Sequence, residues 1–415
     1  MTLLELSPPL DPAATSRLDR SAWPLTTRVD ELGRVCVGAV ALADVADAFG
    51  TPTYVLDEVD FRQRIHRYRA ALSGVDVVYA GKALLTTEVA RWIAEEGVGL
   101  GVCSSGELAV ALAGGLDPSR IIMGGGAKTP DELRDAATVG VGRIVLDSPI
   151  EAALVAGWAR HRQQVLIRVT PEIHVTTDVS VKRVLDDPCL ELVGLYCDIG
   201  SQVTDARQYG RAMCRMTSAM AEIRDTHGVV LAELNIGGGH AVPYVRGDRA
   251  LDLGELADVI EHALHTACAV HRFPRPTVVV EPGREISARA GVTLYRVLAV
   301  DSGPGGRTFV AVDGAMSAKY PAVLANRDPV APTEPVTVVG RHSDGGNDMA
   351  RDVDLPMDIR AGDLLAVAGN GCAVPRPPLV AVSGGQAREL VRRETVTDLL
   401  LRETSSCKVD VAQVD

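Results

Sequence analysis

The chain has 415 residues, of which 47% are apolar and 23% charged, proportions ordinary for a globular protein with a sizeable core and room for two domains. Its net charge of −12 comes with no dense Lys/Arg tract, which excludes a nucleic-acid surface, so no nucleic acid is expected as a partner. There is no basic-then-apolar leader, no apolar run of about 18 residues and no C-x-x-C pair among the eight cysteines, so the expectation is a cytoplasmic protein with reduced, mostly buried thiols, no membrane partner and no metal site.

Residues 1–30 read as a loosely ordered arm. Arg34 to Val40 reads as a strand and Leu42 to Phe49 as a short helix stopped by Gly50; this segment, 31–50, is expected to pair with a sheet formed later in the chain. Thr53–Leu56 is a short apolar strand, and Phe61, Ile65, Tyr68 and Leu72 follow at helical spacing. A unit of strand, loop and helix then repeats. Its strands are Val77–Ala80, Gly99–Cys103, Arg120–Met123, Arg143–Leu146, Val165–Val169, Leu192–Cys197, Glu233–Ile236 and Thr277–Val280. Eight such units predict an α/β fold, a closed (β/α)8 barrel within 51–290; a doubly wound open sheet, the rival, usually has fewer strands and a single Gly-rich first turn. After Gly291 the pattern becomes strands separated by Gly, Pro and Asp turns, which predicts a C-terminal all-β domain over 291–415. Glu389 to Arg402 reads as helical, and the polar tail after Glu403 as frayed.

Chemistry is concentrated at the predicted C-terminal ends of the barrel strands, where such barrels place active sites. Val75-Asp-Val-Val-Tyr-Ala-Gly-Lys82 is an apolar strand ending in a lysine. A buried amine loses its charge readily and can attack a carbonyl as a Schiff-base lysine does, although such a stretch by itself more often carries a loop lysine with its head in water. Strand seven runs into Asn235-Ile-Gly-Gly-Gly-His240, and strand eight into Glu281-Pro-Gly-Arg-Glu285. Consecutive glycines let backbone N–H groups approach an anion, and Arg284 adds a fork suited to phosphate. A phosphate cradle facing a strand-end lysine points to pyridoxal 5'-phosphate (PLP), with Glu281 as the carboxylate for its ring nitrogen and Ser201 as a further phosphate ligand. Cys103-Ser-Ser-Gly-Glu107 opens a helix on the same rim.

These stretches together carry a family resemblance. Tyr79-Ala-Gly-Lys-Ala83, Cys103-Ser-Ser-Gly-Glu-Leu108, Ile199-Gly-Ser-Gln202, Asn235-Ile-Gly-Gly-Gly239, Glu281-Pro-Gly-Arg284 and Val312-Asp-Gly-Ala-Met316 occur in the order found in the fold-type III PLP decarboxylases, and the chain most resembles their diaminopimelate decarboxylase branch. The resemblance implies that Lys82 carries PLP, that Gly237, Gly238, Gly239, Gly283 and Ser201 hold its phosphate, that Glu281 faces the pyridine nitrogen, and that Arg284 contacts phosphate or a substrate carboxylate. It also implies a head-to-tail homodimer whose β-domains complete each other's sites.

The departures from the family pattern fall on the substrate side. Asp198 stands where the family has a histidine stacked on the ring, and Gly101 where it has an aspartate. Ser343-Asp-Gly-Gly-Asn-Asp348 replaces Cys-Glu-Ser-Gly-Asp, which makes Ser343 and Asp344, with Lys82 and Asp198, the candidate catalytic set. The segments Val175–Leu185, Met316–Tyr320 and Gly369–Pro375 lack the family's substrate-gripping elements. The expected activity is therefore decarboxylation at Cα of a non-standard amino acid, free or carrier-linked, rather than of meso-diaminopimelate. The alternatives are epimerisation, with Lys82 on one face and Asp198, Ser343 or His240 on the other, and a paralogue that binds PLP without turnover.

Overall fold

The computed structural model describes residues 22–169, 176–243, 248–303, 306–314, 323–325, 332–341, 348–369 and 377–402. Ser343, Asp344, Met316 to Tyr320 and residues 370–375 lie outside them.

Eight strands, Val75–Ala80, Gly99–Val102, Ile121–Met123, Arg143–Leu146, Gln163–Val169, Leu190–Cys197, Glu233–Asn235 and Thr277–Val280, pair in sequence order into a closed barrel. Every neighbouring pair is parallel, and the eighth strand returns to the first through Val278 beside Val75. Alternate residues face opposite ways along each strand. Val78, Ile122, Val145, Leu166, Tyr196 and Val279 therefore meet inside the barrel, while Tyr79, Leu100, Ile144 and Leu234 pack outward against the helices. The helices begin where polar caps capture free N–H groups: Thr86, Ser104, Ser148 and Asp252 each accept from the residue three positions on. Thr129 and Glu132 form a reciprocal capping box ahead of Pro130. Gly140 and Gly228 end their helices in the left-handed conformation.

The second sheet runs in the order Asp348–Pro356, Thr333–Val339, Thr308–Val312, Gly291–Ser302, Thr53–Asp57, Leu379–Ser383, Gln386–Val391, with Leu364–Ala368 paired to the long strand Gly291–Ser302 and Val323–Ala325 paired in turn to Leu364–Ala368. Three sequence expectations need correction. Thr53–Asp57 belongs to this sheet and not to the barrel: it pairs antiparallel with Gly291–Ser302 and parallel with Leu379–Ser383. Residues 31–50 do not pair into the sheet. Val35–Val37 pairs with Arg28–Val29 and Val40–Ala41 in a sheet of its own, which packs through Trp23, Val35, Val37 and Leu42 on Val55, Val292 and Val380 and is tied to the large sheet by a Gly385 N–H bond to the Gly38 carbonyl at 2.8 Å. Trp23, assigned to the arm, is thus a buried anchor. The third correction concerns Glu389 to Arg402. Gln386–Val391 is an edge strand, and the helix starts at Val396. Of the six described cysteines, all unpaired, only Cys36 and Cys197 are fully buried.

Candidate active site

The pocket lies at the C-terminal end of the barrel, where strand one supplies Lys82, strand two Gly101 and Cys103, strand five Arg168, strand six Tyr196 and Asp198, and strand eight Glu281. Lys82 sits in a single helical turn, Gly81–Ala83, just past its strand. Gly81 lets this turn pack closely on strand two, since a Cβ there would lie 3.0 Å from the Gly101 carbonyl oxygen. Lys82 itself is exposed, which corrects the expectation of a buried amine. Gly283 packs the strand-eight loop on this turn: its missing Cβ would lie 3.1 Å from the β-carbons of both Ala80 and Ala83.

Glu281 faces the same space. Its Oε1 accepts a bond from Asn235 Nδ2 at 2.9 Å, and the Tyr196 hydroxyl lies 3.5 Å from Oε2. Apart from its opening to the pocket it is enclosed by protein. Burial pushes its carboxyl above the usual range, while the Asn235 bond and the charges of Lys82 and Arg168 pull the other way.

The triple glycine behaves as a cradle. A Cβ on Gly238 would lie 2.1 Å from the Glu281 carbonyl oxygen and one on Gly239 only 1.9 Å from that of Gly200, so the loops after strands six, seven and eight touch backbone to backbone. Gly237 and Gly239 have φ of +67° and +81°, the left-handed region that glycine adopts without strain. Gly237 N–H is spent on Asn235 Oδ1 at 2.9 Å; those of Gly238 and Gly239 have no partner among the described residues. Arg284 donates to the Ser201 hydroxyl. Ser201 is held by its neighbour Gln202, which clasps Val242 through bonds of 2.9 and 3.0 Å. Free amides at a glycine corner, a hydroxyl and a guanidinium are a donor set for phosphate. With an amine and a carboxylate across the pocket, the residues fit PLP.

The remaining candidates separate. Asp198 is exposed in the pocket, its Oδ1 accepting from Gly200 N–H at 3.0 Å. His240, read as a loop histidine and as an acid/base candidate, is instead wholly buried between Tyr68 and Tyr209, and burial lowers its pKa to about 3. It therefore stays neutral and away from the pocket.

Sequence reasoning missed Arg168. Its Nη2 donates to the Gly125 carbonyl at 2.9 Å and its Nε to Asp147, and its guanidinium lies 4.6 Å from the centre of the Tyr196 ring. Asp147 is in turn held by the buried Lys128, 3.0 Å away, which also bonds Glu151 at 3.0 Å. The position of Arg168 at the end of strand five was the available signal.

Comparison with known proteins agrees with this geometry. The family model described as pyridoxal-dependent decarboxylase, pyridoxal binding domain, matches residues 58–181 and 173–288. A diaminopimelate decarboxylase of Actinosynnema pretiosum subsp. auranticum is 44% identical over 97% of this chain and its own whole length, and that of Mycobacterium tuberculosis 37% identical over 92% of this chain and 98% of its own. Among solved structures, diaminopimelate decarboxylase of M. jannaschii superposes with a TM-score of 0.85 at 23% identity, covering 92% of this chain and 99% of that one, which speaks to the fold alone. The chain belongs to the pyridoxal-dependent decarboxylases of fold type III, lyases that work with PLP. Within that family it is of the diaminopimelate decarboxylase type.

Proposed function

We propose that this chain removes the α-carboxylate of an amino acid as CO2, with Lys82 carrying the cofactor. Gly237, Gly238, Gly239, Gly283, Ser201 and Arg284 hold the phosphate, and Glu281 faces the ring nitrogen. The observation that carries this reading is that an amine and a carboxylate held by Asn235 line one strand-end pocket, while the glycine cradle packs directly against the backbone of that same carboxylate residue, Glu281. PLP, when bound, supplies the electron sink for the carbanion left at Cα. The chain's own part is positional and acid–base. The Lys82 amine, at the pocket rim, is the nucleophile toward a carbonyl and afterwards, in its protonated form, a proton donor beside Cα that replaces the lost CO2. Glu281, fixed by its Asn235 bond, holds a proton at the ring nitrogen through its negative charge.

The finer reading is that the amino acid is not meso-diaminopimelate. It is supported by Asp198, a carboxylate where the resembled family has an imidazole, and by the altered Ser343–Asp348 stretch, of which residues 343–347 lie outside the described residues; Ser343, Asp344 and Asp198 are the candidate catalytic partners of Lys82. The proposal includes a head-to-tail homodimer, supported by a pocket that leaves Lys82 and Asp198 exposed in the single chain. It also includes a cytoplasmic location; among the described residues no helix is long and apolar enough to cross a membrane.

The test is PLP uptake followed by CO2 release from a panel of D- and L-amino acids that includes meso-diaminopimelate. Wild type should turn yellow and Lys82→Ala should not. Turnover of meso-diaminopimelate at least as fast as any other amino acid sinks the substrate reading alone. Solvent deuterium entering Cα without CO2 sinks decarboxylation.

A further inference from the structure

We infer that Tyr209 is a positioning residue for the anion cradle, an inference that rests on the reading of Gly237 to Gly239 as the phosphate site. Tyr209 lies near the start of the helix Arg207–His227, is fully buried, and donates its hydroxyl to the Gly238 carbonyl at 2.8 Å. A trans peptide is planar, with C=O and N–H pointing in opposite directions. Pinning the Gly238 carbonyl to Tyr209 therefore turns the N–H of the same peptide, that of Gly239, away from the helix. This amide and that of Gly238 have no partner among the described residues, and both glycines are reachable from solvent, whereas Gly237 is buried with its amide already spent on Asn235.

Three successive glycines form the most conformationally free backbone the chain can build, so a cradle made of them needs an external tie. The next peptides are tied as well: the Gly237 carbonyl accepts from Glu281 N–H at 2.8 Å and the Gly239 carbonyl from Val203 N–H at 2.9 Å. Among the described residues Tyr209 supplies the one side-chain tie to a carbonyl of the cradle, Asn235 holding the Gly237 amide. Its ring is braced in turn. It meets His240 edge-on at 5.2 Å, and His240 stacks at 5.6 Å on Tyr68, whose hydroxyl lies 2.8 Å from His240 Nδ1. The neutral imidazole brings no cation of its own, so the aromatic group shapes the cradle without competing for the anion.

The test compares PLP with pyridoxal, which lacks the phosphate, in equilibrium dialysis of the cofactor-free protein. Tyr209→Phe keeps the ring and removes the tie. It should weaken PLP binding about tenfold, the net contribution of one hydrogen bond, weaken competition by inorganic phosphate to a similar extent, and leave pyridoxal within about twofold. Equal losses for PLP and pyridoxal would make Tyr209 merely structural and overturn the inference, as would no change in either. Wild type binding PLP no better than pyridoxal would overturn the phosphate-site reading itself. Hydrogen exchange on unmutated protein serves if the variant does not fold. Inorganic phosphate should slow exchange at Gly239 and leave Gly237 unchanged; an unprotected Gly239 amide overturns the inference.

Discussion

Replacing Gly239 by alanine tests the cradle most sharply. The new Cβ would sit 1.9 Å from the Gly200 carbonyl oxygen, about 1.5 Å short of ordinary contact at 3.4 Å, and 3.5 Å from the Ser201 Cα. The atom struck is backbone, so it cannot swing aside as a side chain would. The residue would also hold φ near +81°, which costs a non-glycine residue about 1–2 kcal/mol. The loop relieves both by leaving the cradle conformation, and bound phosphate must then restore it, so the strain is read as lost affinity. Adding about 1 kcal/mol for one disrupted N–H bond gives roughly 2–3 kcal/mol, or a PLP affinity lower by about 30- to 150-fold. Gly126→Ala is the matched control, because that glycine lines the same pocket with nothing within 4 Å of its missing Cβ, and it should bind PLP as wild type does. The assay is a titration of cofactor-free protein followed by visible absorbance, with melting temperatures to confirm folding. A folded Gly239→Ala variant that binds PLP within threefold of wild type refutes the reasoning.

Two further outcomes follow from buried charge. Burial raises the Glu281 carboxyl in the cofactor-free protein, so the folded state keeps a proton that the unfolded chain has released, and this group's contribution to stability falls as pH rises above about 4; Glu281→Gln should therefore melt progressively higher relative to wild type as pH rises, and a gap independent of pH contradicts this. Lys128, its side chain 1% exposed between Asp147 and Glu151, should cost about 3 kcal/mol when replaced by methionine, because buried Glu151 loses its cation and Asp147 keeps only Arg168; a loss below about 1 kcal/mol in urea denaturation contradicts this.

The barrel was legible because each of its strands is a short apolar run leading to a capped helix, a local signal repeated eight times. Residues 28–41 were not, because their strands are only two or three residues long and are held by packing from Trp23 and Val55. Glu389 to Val391 read as the start of a helix because they end an edge strand, Gln386–Val391, exposed along most of its length, which leaves no period-two pattern to read. In the site, the placement of Lys82, Glu281 and the glycines at strand ends was legible because each directly follows a short apolar strand in the sequence. The Lys128–Asp147–Arg168 chain and the Tyr209 tie were not. Their partners lie 19 to 29 residues apart in sequence and meet only when the barrel closes.

The charges of the pocket argue for its division of labour. Glu281 and Asp198 both face it, and the negative charge of Asp198 adds to the burial that raises the Glu281 carboxyl. An empty pocket thus holds two carboxylates that oppose each other, while Arg168, the cation nearest them apart from Lys82, is committed to Asp147 and the Gly125 carbonyl. In the proposed function, a protonated ring nitrogen beside Glu281 would relieve that opposition. An imidazole at position 198 would supply no such anion. On the proposed function, the exchange to Asp198 leaves the cofactor side intact and bears on the substrate side.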